Sequence, residues 1–123
     1  MVVIVAIDDD RLLHPVIKHT FKGDDFHVHY ALDGQQGWEL ILAHRPDYVL
    51  LDLDLPDVAG EEILGRIKAD ASLDHTKIVL FSGNDLEADA IAKQMPDVIV
   101  VHKPFSPAKL LEAITPSVEW RSC

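Results

Sequence analysis

Tyr48-Val49-Leu50-Leu51-Asp52-Leu53-Asp54-Leu55-Pro56-Asp57 opens on an unbroken apolar run, Tyr48–Leu51, that stops at Asp52 and passes into a loop marked by Pro56 and Gly60. A short run with no polar side is a strand covered on both faces, the kind found inside a parallel sheet. The same grammar recurs on either side. Val2–Ile7 is apolar and β-branched and ends at Asp8-Asp9-Asp10; Lys77–Phe81 ends at Ser82-Gly83; Val98–Val101 leads to Lys103-Pro104. Phe26–Ala31 differs, because Phe26, Val28 and Tyr30 alternate with His27 and His29, as expected of an edge strand.

Between these runs the period changes to that of a helix. Arg11–Lys22 places Leu12, Leu13, Val16, Ile17 and Phe21 on one face, and Pro15 is tolerable there only in the first turn, where it removes no intrahelical bond. Gly34–Arg45 turns Trp38, Ile41 and Leu42 inward and is ended by Pro46; Glu61–Asp70 carries Ile63, Leu64 and Ile67; Asp85–Gln94 follows. Ser106 and Pro107 open a last helix as cap and first residue, and Pro116 stops it. Five strands alternating with five helices predict an α/β fold, a doubly wound parallel sheet in the order 2-1-3-4-5. Residues 1–116 form one domain, and 117–123 are a tail or the start of a linker.

The 123 residues suit one domain that buries about two-thirds of its unfolded surface, without help from disulfide or structural metal. The net charge of -10 argues against nucleic-acid binding by this domain. A single cysteine, Cys123, forms no internal disulfide and agrees with a reducing, cytoplasmic setting. The first apolar run is too short for a signal-peptide core, and no run reaches membrane-spanning length.

In sheets of this kind ligands bind beyond the C-terminal strand ends. Those ends carry Asp8 and Asp9, Asp52, Ser82 and Lys103. Clustered carboxylates repel one another, and a hard divalent ion such as magnesium, which takes oxygen ligands and keeps several waters, relieves that repulsion. A carboxylate so placed serves as a nucleophile toward phosphorus. Phosphoryl transfer then needs charge neutralisation more than acid–base work, which Lys103 and Ser82 are placed to supply. Asp10 is expected to cap the first helix.

Ile7-Asp8-Asp9-Asp10, Leu50 to Asp57, Gly60, Phe81-Ser82-Gly83 and Lys103-Pro104-Phe105, with Ala31-Leu32-Asp33-Gly34 before the second helix, together resemble the receiver domain of two-component response regulators, over about residues 2–115. The resemblance implies Asp52 as phosphoacceptor. It implies magnesium held by Asp9, Asp52 and the backbone carbonyl of Asp54, with Asp8 acting through water. Ser82 would hydrogen-bond the phosphoryl group, Lys103 would pair with it, and the Lys103–Pro104 bond would be cis. It further implies a sensor histidine kinase or a histidine phosphotransfer domain as donor, and a protein target or an output domain downstream.

Three positions depart from the family pattern: Val100 stands where an aromatic ring is frequent, Ala59 replaces a frequent aspartate, and Asp54 adds a carboxylate beside the acceptor. Asp54, Asn84 and Val100 are the positions expected to modulate the site. Among the seven histidines, His27 and His29 share a strand face and His14 and His19 lie on a helix; no third ligand is identifiable, so they read as surface residues. Trp38 and Trp120 read as packing residues. Two other functions stay open: a haloacid-dehalogenase-type phosphatase using Asp52 and Asp54, and a receiver-like module that binds without taking phosphate.

Overall fold

The computed structural model describes residues 2–83, 85–102 and 107–114. Strands β1 (Val2–Ile7), β2 (Phe26–Ala31), β3 (Tyr48–Asp52), β4 (Lys77–Ser82) and β5 (Ile99–His102) form one parallel sheet in the order β2-β1-β3-β4-β5. Helices α1 (Leu13–Thr20), α2 (Gly34–His44), α3 (Gly60–Ala69), α4 (Asp85–Gln94) and α5 (Pro107–Ile114) connect them, and a single 3-10 turn at Ala71–Leu73 precedes β4. The predicted doubly wound order is the observed one, with β2 at an edge. The expected Ser106 cap, the Lys103–Pro104 bond, Trp120 and the boundary at 116/117 lie outside the described residues.

Two cores lie on opposite faces of the sheet, because alternate strand residues point to opposite sides. On one face Val5, Ile7, Val49, Leu51, Ile78 and Leu80 meet Ile41 of α2, Ile63, Leu64 and Ile67 of α3 and Ile91 of α4. On the other, Ile4, Ala6, Leu50, Val79 and Phe81 meet Ile17 of α1 and Leu110 and Ile114 of α5. β3 is buried along its whole length, which is why its sequence shows no polar side. Truncating a buried leucine or isoleucine here to alanine would cost about 2–5 kcal/mol.

Three local expectations need correction. Leu42 is 42% exposed, whereas Leu40 packs against the core beside Ile41. The inward stripe of α2 is set by Gly37 and Ile41, and Leu42 lies a hundred degrees of helical turn past it. α1 starts at Leu13 rather than Arg11, with Leu12 as an N-cap that makes no side-chain cap bond. Asp10 acts one step earlier, its Oδ1 accepting the Leu12 N–H at 2.9 Å and so shaping the turn before the helix. That late start places Pro15 in the first turn, the position where it does no harm. Trp38 packs against the core as expected, with the Arg66 guanidinium 5.7 Å from its ring centre.

Candidate phosphoryl and metal site

β1, β3 and β4 are neighbours and end level with one another, Ile7 pairing with Leu51 and Asp52 with Phe81. Asp8 thus emerges beside Asp52, and Ser82 ends the next strand over. Asp8, Asp52 and Ser82 are 1%, 3% and 1% exposed, while Asp9 is open to solvent. One carboxylate oxygen from each of Asp8, Asp9 and Asp52 lies within 4.8 Å of the others. Lys103 and Asn84 lie outside the described residues.

Asp8 and Asp52 are each fixed by their own loop. The Asp8 N–H donates to the Ala31 carbonyl at 3.1 Å, and its Oδ1 accepts the Asp10 N–H at 2.9 Å. The Oδ1 of Asp52 accepts the Asp54 N–H at 3.1 Å, an Asx turn that folds the chain back over Asp52 and leaves the Asp54 side chain exposed. Leu53 N–H donates to the Phe81 carbonyl and Gly60 N–H to the Leu53 carbonyl. A Cβ at Gly60 would sit 2.6 Å from the Asp52 carbonyl oxygen and 2.6 Å from Leu53 Cα. Only glycine lets α3 begin against the backbone that carries Asp52.

Three supporting contacts are invisible in the sequence. His14 Nε2 donates to the Asp8 carbonyl at 3.1 Å, which fixes the ring proton on that nitrogen, and the ring packs 5.0 Å from Tyr30. His14 therefore braces the backbone at Asp8 rather than standing as one more surface histidine. Its separation from Asp8 is set by the turn at Asp10, so no helical spacing announces it. Asp57 reaches back to the N-terminus of α2 and accepts the Gly34 and Gln35 N–H groups, which hold its carboxyl below the usual carboxylate range. Glu87 of α4 shares a side-chain hydrogen bond with Glu61 of α3, and that bond, with desolvation and the nearby charges of Glu61 and Asp54, raises its pKa.

Two full negative charges nearly 5 Å apart repel by roughly 3–4 kcal/mol at an effective dielectric near 20. Asp8 and Asp52, with Asp9 at their mouth, offer an all-oxygen donor set, open on one side, that could hold a hard divalent cation. Among the described residues no other group of three acidic, histidine or cysteine side chains brings its donor atoms this close.

The chain matches the family model for the response regulator receiver domain over residues 4–115. Solved structures give the same fold. A CheY-like receiver domain protein from Methanospirillum hungatei superposes with a TM-score of 0.83 at 24% identity, over 99% of this chain and 97% of that one. The chemotaxis protein CheY4 of Vibrio cholerae gives 0.83 at 22% identity, over 94% and 98%. DrrB of Thermotoga maritima, an OmpR/PhoB homologue, gives 0.81 at 27% identity, over 98% of this chain and 54% of that longer one.

Proposed function

The chain belongs to the response regulator receiver domain family, and on that footing we propose that it is a signalling switch whose Asp52 takes a phosphoryl group from a phosphohistidine donor. Membership favours this reading over the dehalogenase-type phosphatase. The observation that carries the proposal is the meeting of Asp8, Asp9 and Asp52 at the ends of β1 and β3.

In the transfer an Asp52 carboxylate oxygen forms a bond to phosphorus as the phosphorus–nitrogen bond to the donor imidazole breaks, and the electron pair of that bond returns to the ring nitrogen. Asp9, Asp52 and the Asp54 carbonyl would hold magnesium directly and Asp8 through water; when bound it offsets the charge of the acids and of the phosphoryl oxygens. The Asx turn at Asp52 and the Gly60 contact hold the acceptor still. Ser82 offers its hydroxyl to the phosphoryl group and Lys103 pairs with its charge. The donor is a sensor histidine kinase or a histidine phosphotransfer domain in the cytoplasm, and the reader is a protein target or an output domain. Asp54, Asn84 and Val100 modulate the site. No helix among the described residues is long and apolar enough to cross a membrane.

Acetyl phosphate with magnesium should add one phosphoryl group by intact mass, and Asp52→Asn should abolish it. Unchanged labelling of that variant places the acceptor elsewhere, and no labelling of the wild type from any phosphodonor supports a module that binds without phosphate. Turnover of an aryl phosphate would revive the phosphatase.

A further inference from the structure

A second group of ligand-bearing side chains stands away from the acids. His27 and His29 project from β2 to the face that α2 covers, where the neighbouring strand presents Val3, Val5 and Ile7. The structure brings His44, in the last turn of α2, onto them. The His27 and His29 ring centres are 4.6 Å apart, and His44 stacks on His29 at 3.7 Å with 14° between the planes. His29 is half-buried; His27 and His44 are exposed.

We propose that His27, His29 and His44 bind a first-row transition-metal ion such as zinc, nickel or copper(II), at a site separate from that of magnesium. With a metal–nitrogen distance of about 2.0–2.1 Å, two imidazoles on one ion have ring centres about 5 Å apart. His27 and His29 already stand at that separation. His44 presents its face rather than a nitrogen and its ring centre stands nearer to His29 than two ligands of one ion would, so to bind, its solvent-exposed side chain has to change rotamer at χ1 as well as turn about its broad terminal torsion. Imidazole suits zinc, copper and nickel, whereas magnesium prefers oxygen, so the two sites select different ions. A bound ion joins edge strand β2 to the end of α2 and stabilises the fold by mass action.

The test is a zinc and a nickel titration by calorimetry, with saturating magnesium on the acids. One ion should bind per chain. His29→Gln and His44→Gln should each weaken it by at least the roughly 10–100-fold that loss of a mere supporting group costs. His19→Gln should not, and acetyl phosphate labelling should be unchanged in all three. On the wild-type protein the ring nitrogen NMR signals of His27, His29 and His44 should shift ahead of those of His19 and His75. Absence of binding, equal affinity in the variants, or ring shifts that spare these three would overturn the proposal.

Discussion

The Asp57 carboxylate accepts the backbone N–H of Gly34 at 2.7 Å, across 23 positions of sequence. It takes the Gln35 N–H at 3.0 Å, while Asp33, the N-cap proper, takes that of Gln36 at 2.7 Å. Two acids from different segments thus satisfy the first turn of α2, and one of them ties the loop after the proposed acceptor to that helix. The approach is close: a Cβ at Gly34 would fall 2.9 Å from Val58 Cβ.

Asp57→Ala should lower the melting temperature at neutral pH and speed amide exchange at Gly34 and Gln35. The carboxyl pKa is lowered in the fold, chiefly by the Gly34 N–H, from its ordinary value of 3.8. Its stabilisation is therefore complete above that value and fades as pH falls below it. Melting curves of wild type and variant should converge in acid; a gap that persists at low pH would mean that the carboxylate charge is not what holds the loop.

Gly60 and Gly65 make a controlled pair within α3. Gly65 is exposed, with nothing within 4 Å of an added Cβ, so Gly65→Ala should stabilise by about 0.5–1 kcal/mol through helix propensity. Gly60→Ala drives a methyl into the backbone at Asp52 and Leu53 and should destabilise by about 1–3 kcal/mol. It should also slow acetyl phosphate labelling, because the strain falls on the backbone of Asp52, the proposed acceptor. Urea denaturation and labelling rates check both; normal labelling in folded Gly60→Ala would show that α3 does not need this approach to hold the site.

Much of this was legible beforehand and the remainder was not, for physical reasons. Strand order and the meeting of Asp8, Asp9 and Asp52 follow from unbroken apolar runs ending in acids, since a parallel sheet puts all those ends on one side. Boundaries moved where local turns compete with helix, as at Asp10 and Leu12. Contacts closed by tertiary structure left no periodic trace: Asp57 on Gly34, His14 on the Asp8 carbonyl, Glu87 with Glu61, and His44 on His29. The two strand histidines looked like surface residues because their third neighbour comes from a helix end.

That histidine stack makes a pH prediction of its own. His29 has its pKa lowered by burial first, then by the charges of His44 and His27. The unfolded chain therefore binds more protons than the fold near the ordinary histidine value of about 6.5. Stability rises with pH through this window and is lost as pH falls from about 6.5 toward the lower folded value. With chelator present, His29→Gln should flatten the melting temperature between pH 7 and pH 5 relative to wild type. An unaltered slope would assign the loss to other groups.

The last prediction turns on Val100, half-buried in β5, in register with Leu80 and packed against the core on the face that holds α3 and α4. Receiver domains that carry an aromatic ring here have a side chain that turns inward when the hydroxyl at the position of Ser82 moves toward the phosphoryl group. Valine has no ring to turn, and its branched side chain has few rotamers to exchange. A ligand shifts an equilibrium only by its differential interaction with the two states. Without the ring, the Ser82 hydroxyl has less to couple to. Beryllofluoride with magnesium, standing in for the phosphoryl group, should therefore perturb the loops after β3 and β4 strongly and α4 weakly. Amide-shift maps of the free and beryllofluoride-bound protein measure this. Val100→Tyr should extend the perturbation into α4 and β5. Shifts along Asp85–Gln94 as large as that at Ser82 in the wild type would show that another residue carries the coupling.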